Sequence, residues 1–141
     1  MKRIKRAKYI VIVCLAMLTF SCSKSDDSRI GYQTLLSVVS AELPDSTTVN
    51  SRHAIKIMYN KPTNCHIYTD MYYINEGNQS TMAVISTYTE NTANCLTINE
   101  IAEASFKFEP KTIGTHKFRF WQGKNASNVD QYIDYEVEVT N

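Results

Sequence analysis

The chain has 141 residues, 43% of them hydrophobic and 21% charged, and a formal net charge of +1. That charge is unevenly held: Lys2, Arg3, Lys5, Arg6 and Lys8 supply five of the 15 basic residues, so the remainder, with 14 acidic groups, stands at about −4. Such a balance excludes the basic footprint that nucleic acid requires, and the roughly 120 residues beyond the leader suffice for one domain with a real core.

The opening "MKRIKRAK" is a positive segment followed by "YIVIVCLAMLTF", an apolar run of about a dozen residues. That length suits a secretory signal and falls short of the ~20 apolar residues that cross a bilayer. Ser21, Ser23, Lys24, Asp26 and Asp27 follow at once. Within this frame "LTFSC" resembles a bacterial lipobox, with the small Ser21 before Cys22. The resemblance implies cleavage between them and a diacylglycerol on the Cys22 thiol. Thr19 and Phe20 stand where an aliphatic and a small residue are usual, so ordinary secretory cleavage is the second reading. Acyl chains bury about 0.8 kcal/mol per CH₂ and two anchor stably, which would fix the protein to a membrane through Cys22. "CSKSDD" resembles the acidic export signal of Bacteroidota lipoproteins, in which Lys24, Asp26 and Asp27 imply an outer-membrane lipoprotein displayed at the cell surface. The alternative is a solvated tether facing the periplasm. The expected organisation is a signal peptide at 1–21, a lipidated flexible tether at 22–33 and one domain at 34–141.

Of the four cysteines, Cys14 leaves with the signal and Cys22 carries the lipid in this reading. Cys65 and Cys95 remain in an oxidising setting and are expected to pair. Closing a loop of roughly 30 residues would stabilise by about 3 to 4 kcal/mol. Their spacing excludes a CxxC redox pair or a zinc knuckle.

From Leu35 onward short alternating runs are broken by turn residues, which predicts an all-β domain. In chain order the predicted strands are Leu35–Leu43, His53–Asn60, Cys65–Ile74, Thr81–Glu90, Ala104–Pro110, His116–Gln122 and Tyr132–Thr140. "PDSTTVNS", "KPTN", "NEGNQS", "NTAN", "KTIGT" and "GKNASNVD" read as connections, and "LTINEIAEA" as room for one helical turn. "NEGNQ" would turn a hairpin whose base brings Cys65 to Cys95. In the last two strands Phe118 and Phe120 alternate with Lys117, Arg119 and Trp121, and Ile133, Tyr135, Val137 and Val139 with Asp134, Glu136 and Glu138. An antiparallel register with Lys117 opposite Glu138 and Arg119 opposite Glu136 matches charges, with Trp121 near Asp134 and pointing outward.

Seven short strands argue for an immunoglobulin-like two-sheet antiparallel sandwich, with a small β-barrel as the alternative. The expected core draws on Ile55, Ile57, Ile67, Val84 or Ile85, Phe106, Phe108, Phe118, Phe120, Val137 and Val139. The ending "FKFEPKTIGTHKFRFWQG…YIDYEVEV" resembles the closing strands of extracellular immunoglobulin-like modules. The whole domain resembles small Bacteroidota surface lipoproteins with a cysteine pair, a likeness that implies no activity.

For chemistry, His53, His66 and His116 are scattered, and none sits in HExxH or beside a carboxylate at ligand spacing. "DMYYINEGN" lacks the spaced oxygens of a calcium loop. No GxSxG or SxxK occurs, and Cys65 and His66 would face opposite sides of a strand. No cofactor, metal or enzymatic activity is therefore expected. Tyr59, Tyr68, Tyr72, Tyr73, Tyr88, Tyr132 and Tyr135 with Trp121 exceed what a small core needs and suit a binding surface. The expected ligand site is the polar connection "QGKNASNVDQ" with Trp121, Lys124 and Asn125. "DST" resembles the Bacteroidota O-glycosylation motif, with Ser46 as acceptor. The leading expectation is a non-catalytic binding or accessory module for a glycan or envelope protein. The alternatives are an immunoglobulin-like protease inhibitor, whose Gly-rich inhibitory loop is missing here, and a small hydrolase.

Overall fold

The computed structural model describes residues 31–89 and 94–141, which form nine strands in two sheets. The leader, Cys22 and the Lys24, Asp26 and Asp27 signal lie outside the described residues. The strands are β1 (Gly31–Leu36), β2 (Val38–Glu42), β3 (Ser46–Thr48), β4 (His53–Thr63), β5 (His66–Glu76), β6 (Gln79–Thr89), β7 (Thr97–Phe108), β8 (Gly114–Lys124) and β9 (Asp130–Thr140). The two-layer all-β sandwich expected from the alternation is present, with nine strands where seven were predicted.

The larger sheet runs β1-β6-β8-β9-β3 with β5 also paired to β6; the smaller runs β2-β4-β7. One edge of β6 carries β5, and β1 and β8 share the other: β1 lies along Val84–Thr89 and β8 along Gln79–Met82. The expected purely antiparallel pairing needs correction, because β6–β8 and β3–β9 are parallel. The cause lies in "PDSTTVNS", read as a connection: it lays Ser46–Thr48 beside Glu138–Thr140 as an edge strand.

The predicted strand Leu35–Leu43 is two strands. The chain leaves the larger sheet at Ser37 and enters the smaller one, and Ser37 O accepts from Asn60 N at 2.9 Å while its Oγ accepts from Asn60 Nδ2 at 3.0 Å. "LTINEIAEA" holds no helical turn, since β7 begins at Thr97. Its inward positions are Ala102 and Ala104, opposite the bulky Tyr59 and Ile57 of β4, so small residues fill the layer there.

Between the sheets Leu36, Val38, Ile57, Tyr59, Val84, Phe118, Phe120 and Val137 form the buried cluster, with Phe106 and Phe108 packed against it. Phe108 meets Phe118 edge-on at 4.9 Å, and Phe120 meets Tyr135 at 5.9 Å, geometries that suit the aromatic quadrupole. Ile67 is not in the core; it is 61% exposed. A bulge between Tyr68 and Asp70 adds one residue to β5, which reverses the alternation beyond it. Met71, opposite the buried Val84, takes the inward place.

The β5–β6 hairpin turns on Gly77 and Asn78 as "NEGNQ" predicted, with Gly77 at φ 62° where a side chain would be strained. At its base Cys65 and Cys95 are disulfide-bonded with Cα atoms 5.5 Å apart. The bridge joins two of the places where the chain passes between sheets, before β5 and before β7.

Candidate functional site

The connection that carries Trp121, Lys124 and Asn125 is shorter than the sequence suggested. Half of "QGKNASNVDQ" is strand, with Lys124 opposite Asp130 across the hairpin. The turn is only Asn125–Val129, and the Asn125 carboxamide oxygen accepts from Ser127 N at 2.9 Å and Val129 N at 3.0 Å. A short polar side chain that closes its own backbone into a turn in this way is not free for a ligand. A bulge at Gln122, with Gly123 at φ 103°, completes the connection.

This tight turn moves the predicted register by two residues: Lys117 is opposite Glu136, Arg119 opposite Asp134 and Trp121 opposite Tyr132. The shift is even, so every side chain keeps its expected face. Arg119 Nε reaches Asp134 Oδ1 at 3.2 Å, and its guanidinium lies 4.5 Å from the Tyr132 ring centroid.

On the outer face of the larger sheet Trp121 lines a shallow groove of about 280 Å³ with Leu35, Tyr72, Ala83, Lys124 and Tyr132. The indole N–H donates to Asp130 Oδ1 at 2.8 Å, and Lys124 Nζ lies 3.8 Å from the same oxygen. The polar groups there are engaged with one another, and what faces out is apolar.

A second concavity of about 790 Å³ opens on the flank of the sandwich between β5 and β7. It exists because six strands face three: the smaller sheet ends at β7, and Phe106 and Phe108 cover β8 but not β5. Tyr68, Met71 and Tyr73 project from β5 into it, Met82 from β6, and Phe106 and Phe108 form the opposite wall. Its rim is polar, with Asn75, Asn78, Lys107, Glu109, Lys111 and Thr112. The Tyr68 phenol is held above its ordinary pKa by burial and by Asp70, so it is a neutral donor. Glu109 stays ionised below the usual range because Lys111 and Arg52 both donate to it; Arg52 Nε is at 2.9 Å. Apolar walls with a few convergent polar groups, in this size range, are the ordinary make-up of a ligand seat.

Of the tyrosines singled out in the sequence, Tyr68 and Tyr73 belong to this cleft and Tyr72 and Tyr132 to the groove. Phe106 and Phe108 were missed as site residues because alternation marks them simply as core, and Met71 was not singled out at all.

A third cluster joins β3 to the start of β4. Thr47 Oγ1 lies 2.5 Å from both Ser51 Oγ and His53 Nε2, and Ser51 Oγ donates to Thr48 O at 2.6 Å. The Ser51 proton is thus committed to a carbonyl, and no carboxylate belongs to the bonded set to orient the imidazole. The cluster locks a turn. Among the described residues no group of three His, Cys, Asp or Glu is placed to hold a metal. Ser46, the first residue of β3, is exposed.

No family model, curated protein or solved structure matches the chain.

Proposed function

We propose that the domain is a non-catalytic binding module, tethered to the outer membrane through Cys22, whose ligand seat is the cleft between β5 and β7. The observation that carries the reading is the 790 Å³ cleft with an apolar floor and a polar rim on the uncovered flank of the larger sheet. A floor built from Met71, Met82, Phe106 and Phe118 gains from being covered, since apolar area removed from water is worth about 25 cal/mol per Å². The ligand is a component of the envelope, a glycan or a protein segment.

The test compares the purified mature protein with its Tyr73→Ala and Trp121→Ala variants on a glycan array and in pull-downs from envelope extract. Tyr73 is 62% exposed, so its loss leaves the fold intact. Capture that Tyr73→Ala abolishes and Trp121→Ala preserves supports the cleft; the reverse pattern moves the seat to the Trp121 groove. Capture unaffected by either variant, or no capture, removes the proposal.

A further inference from the structure

Resting on the cleft as ligand seat, we infer that its occupant is an extended segment of a partner protein, apolar at alternate positions and acidic between them. The segment enters as one strand between β5 and β7.

The backbone makes the first argument. Among the described residues β5 pairs only with β6 and β7 only with β4, so each turns a free edge to the cleft. The two strands run in the same direction: the disulfide joins the residues just before them, and beyond their far ends Thr112 Oγ1 donates to Asn78 Oδ1 at 3.1 Å. The cleft is therefore a trough closed at both ends between co-directional edges. A single strand antiparallel to both would complete the two edges, and edge addition of this kind gives affinity through main-chain hydrogen bonds.

The edge is prepared for it along one stretch. Glu76 and Gln79 flank the two-residue turn and form a hydrogen-bonded pair, which makes 75↔80, 73↔82 and 71↔84 the non-bonded pairs of the ladder. The main-chain groups of Met71, Tyr73 and Asn75 consequently face away from β6. In agreement, Met71 N–H is taken by the Asp70 carboxylate at 2.8 Å rather than by a strand.

Side chains set the occupant's chemistry. Tyr73 and Met71 on one wall and Phe106 and Phe108 on the other recur at every second residue, the spacing of an extended partner. The β7 rim is positive. Lys107 has no ion-pair partner among the described residues, and Lys111 shares the carboxylate of Glu109 with Arg52, which stands outside the cleft lining; the cleft's other carboxylate, Asp70, lies on the β5 side. Acidic residues on the occupant's outward positions complement this rim. A strand of the same character already lies beside Lys117 and Arg119 in this fold: β9, with Asp134, Glu136 and Glu138 between Ile133, Tyr135, Val137 and Val139.

The probe is a fluorescent peptide YIDYEVEVT, the sequence of Tyr132–Thr140, added to the purified mature protein with its disulfide intact. The expected result is binding that slows amide hydrogen exchange about tenfold or more along Met71–Asn75 and Ser105–Phe108. Binding should weaken about tenfold when the peptide's acidic residues are replaced by lysine. Tyr73→Pro removes one free-edge N–H without touching the β6 ladder, a change edge strands tolerate, and is expected to abolish binding while Tyr73→Phe preserves it. Protection confined to β8 and β3 would mean exchange with the resident β9 and overturns the inference. A peptide that does not bind, beside Tyr73-dependent capture on the glycan array, overturns the strand and leaves the cleft as seat. Failure of both overturns both.

Discussion

Ser86 is fully enclosed, 0% exposed, and its hydroxyl has no hydrogen-bond partner. It sits on the inner face of β6, opposite Thr34 of β1 and Tyr68 of β5. A buried polar group left unpaired costs about 1 to 3 kcal/mol, so Ser86→Ala is expected to raise stability by about 1 kcal/mol, seen as a higher urea midpoint with an unchanged slope. His66 carries the pH dependence. Its pKa is lowered from 6.5 by burial and then by Lys61, while its Nδ1 lies 2.8 Å from Thr63 Oγ1 beside the disulfide. A histidine whose folded pKa is depressed contributes stability that is complete above 6.5 and is lost as pH falls through the folded value. Stability should therefore decline below about pH 6.5, and His66→Gln should flatten that part of a pH series of thermal melts. At this scale the sequence was legible in its alternation: Ile57, Phe118, Phe120 and Val137 are all buried where period two placed them. Ile67 was misplaced because a one-residue bulge leaves no mark in the pattern of residue types.

Strand edges and registers were less legible than strand existence. In "TINEIAEAS" the inward Ala102 and Ala104 and the intervening glutamates are good helix formers, and only the bulk of Tyr59 and Ile57 across the sheet explains why a strand wins. In the last hairpin the charge pattern fits two registers equally, and the Asn125 turn selects between them. The exposed ion pairs that result contribute little individually. The disulfide is the element with the largest single effect. Its cysteines are 30 residues apart, for which chain entropy gives about 3.5 kcal/mol. Replacing both Cys65 and Cys95 by serine should lower the unfolding free energy by about that amount in urea titrations. Because the bridge also holds the near ends of β5 and β7 together, the same variant should accelerate hydrogen exchange at Asn64 and Leu96, which bond each other across it.

The number of strands in each sheet decides what the whole molecule offers to a ligand, and no local pattern records that number. Short edge strands such as Ser46–Thr48, and the division of Leu35–Leu43 between layers at Ser37, are tertiary outcomes. The inequality of six strands against three, and with it the open flank, was therefore not readable from the chain, although the tyrosines at 68 and 73 pointed to the region. The order of strands has a consequence for biosynthesis. The last strand, β9, is not at an edge: it lies between β8 and β3 and supplies the buried Val137 and Val139. The strands of the smaller sheet are all present by residue 108, but until residues 130–140 have left the ribosome the larger sheet lacks an interior member and β3 has no neighbour, so the two layers cannot close on each other before β9 is made.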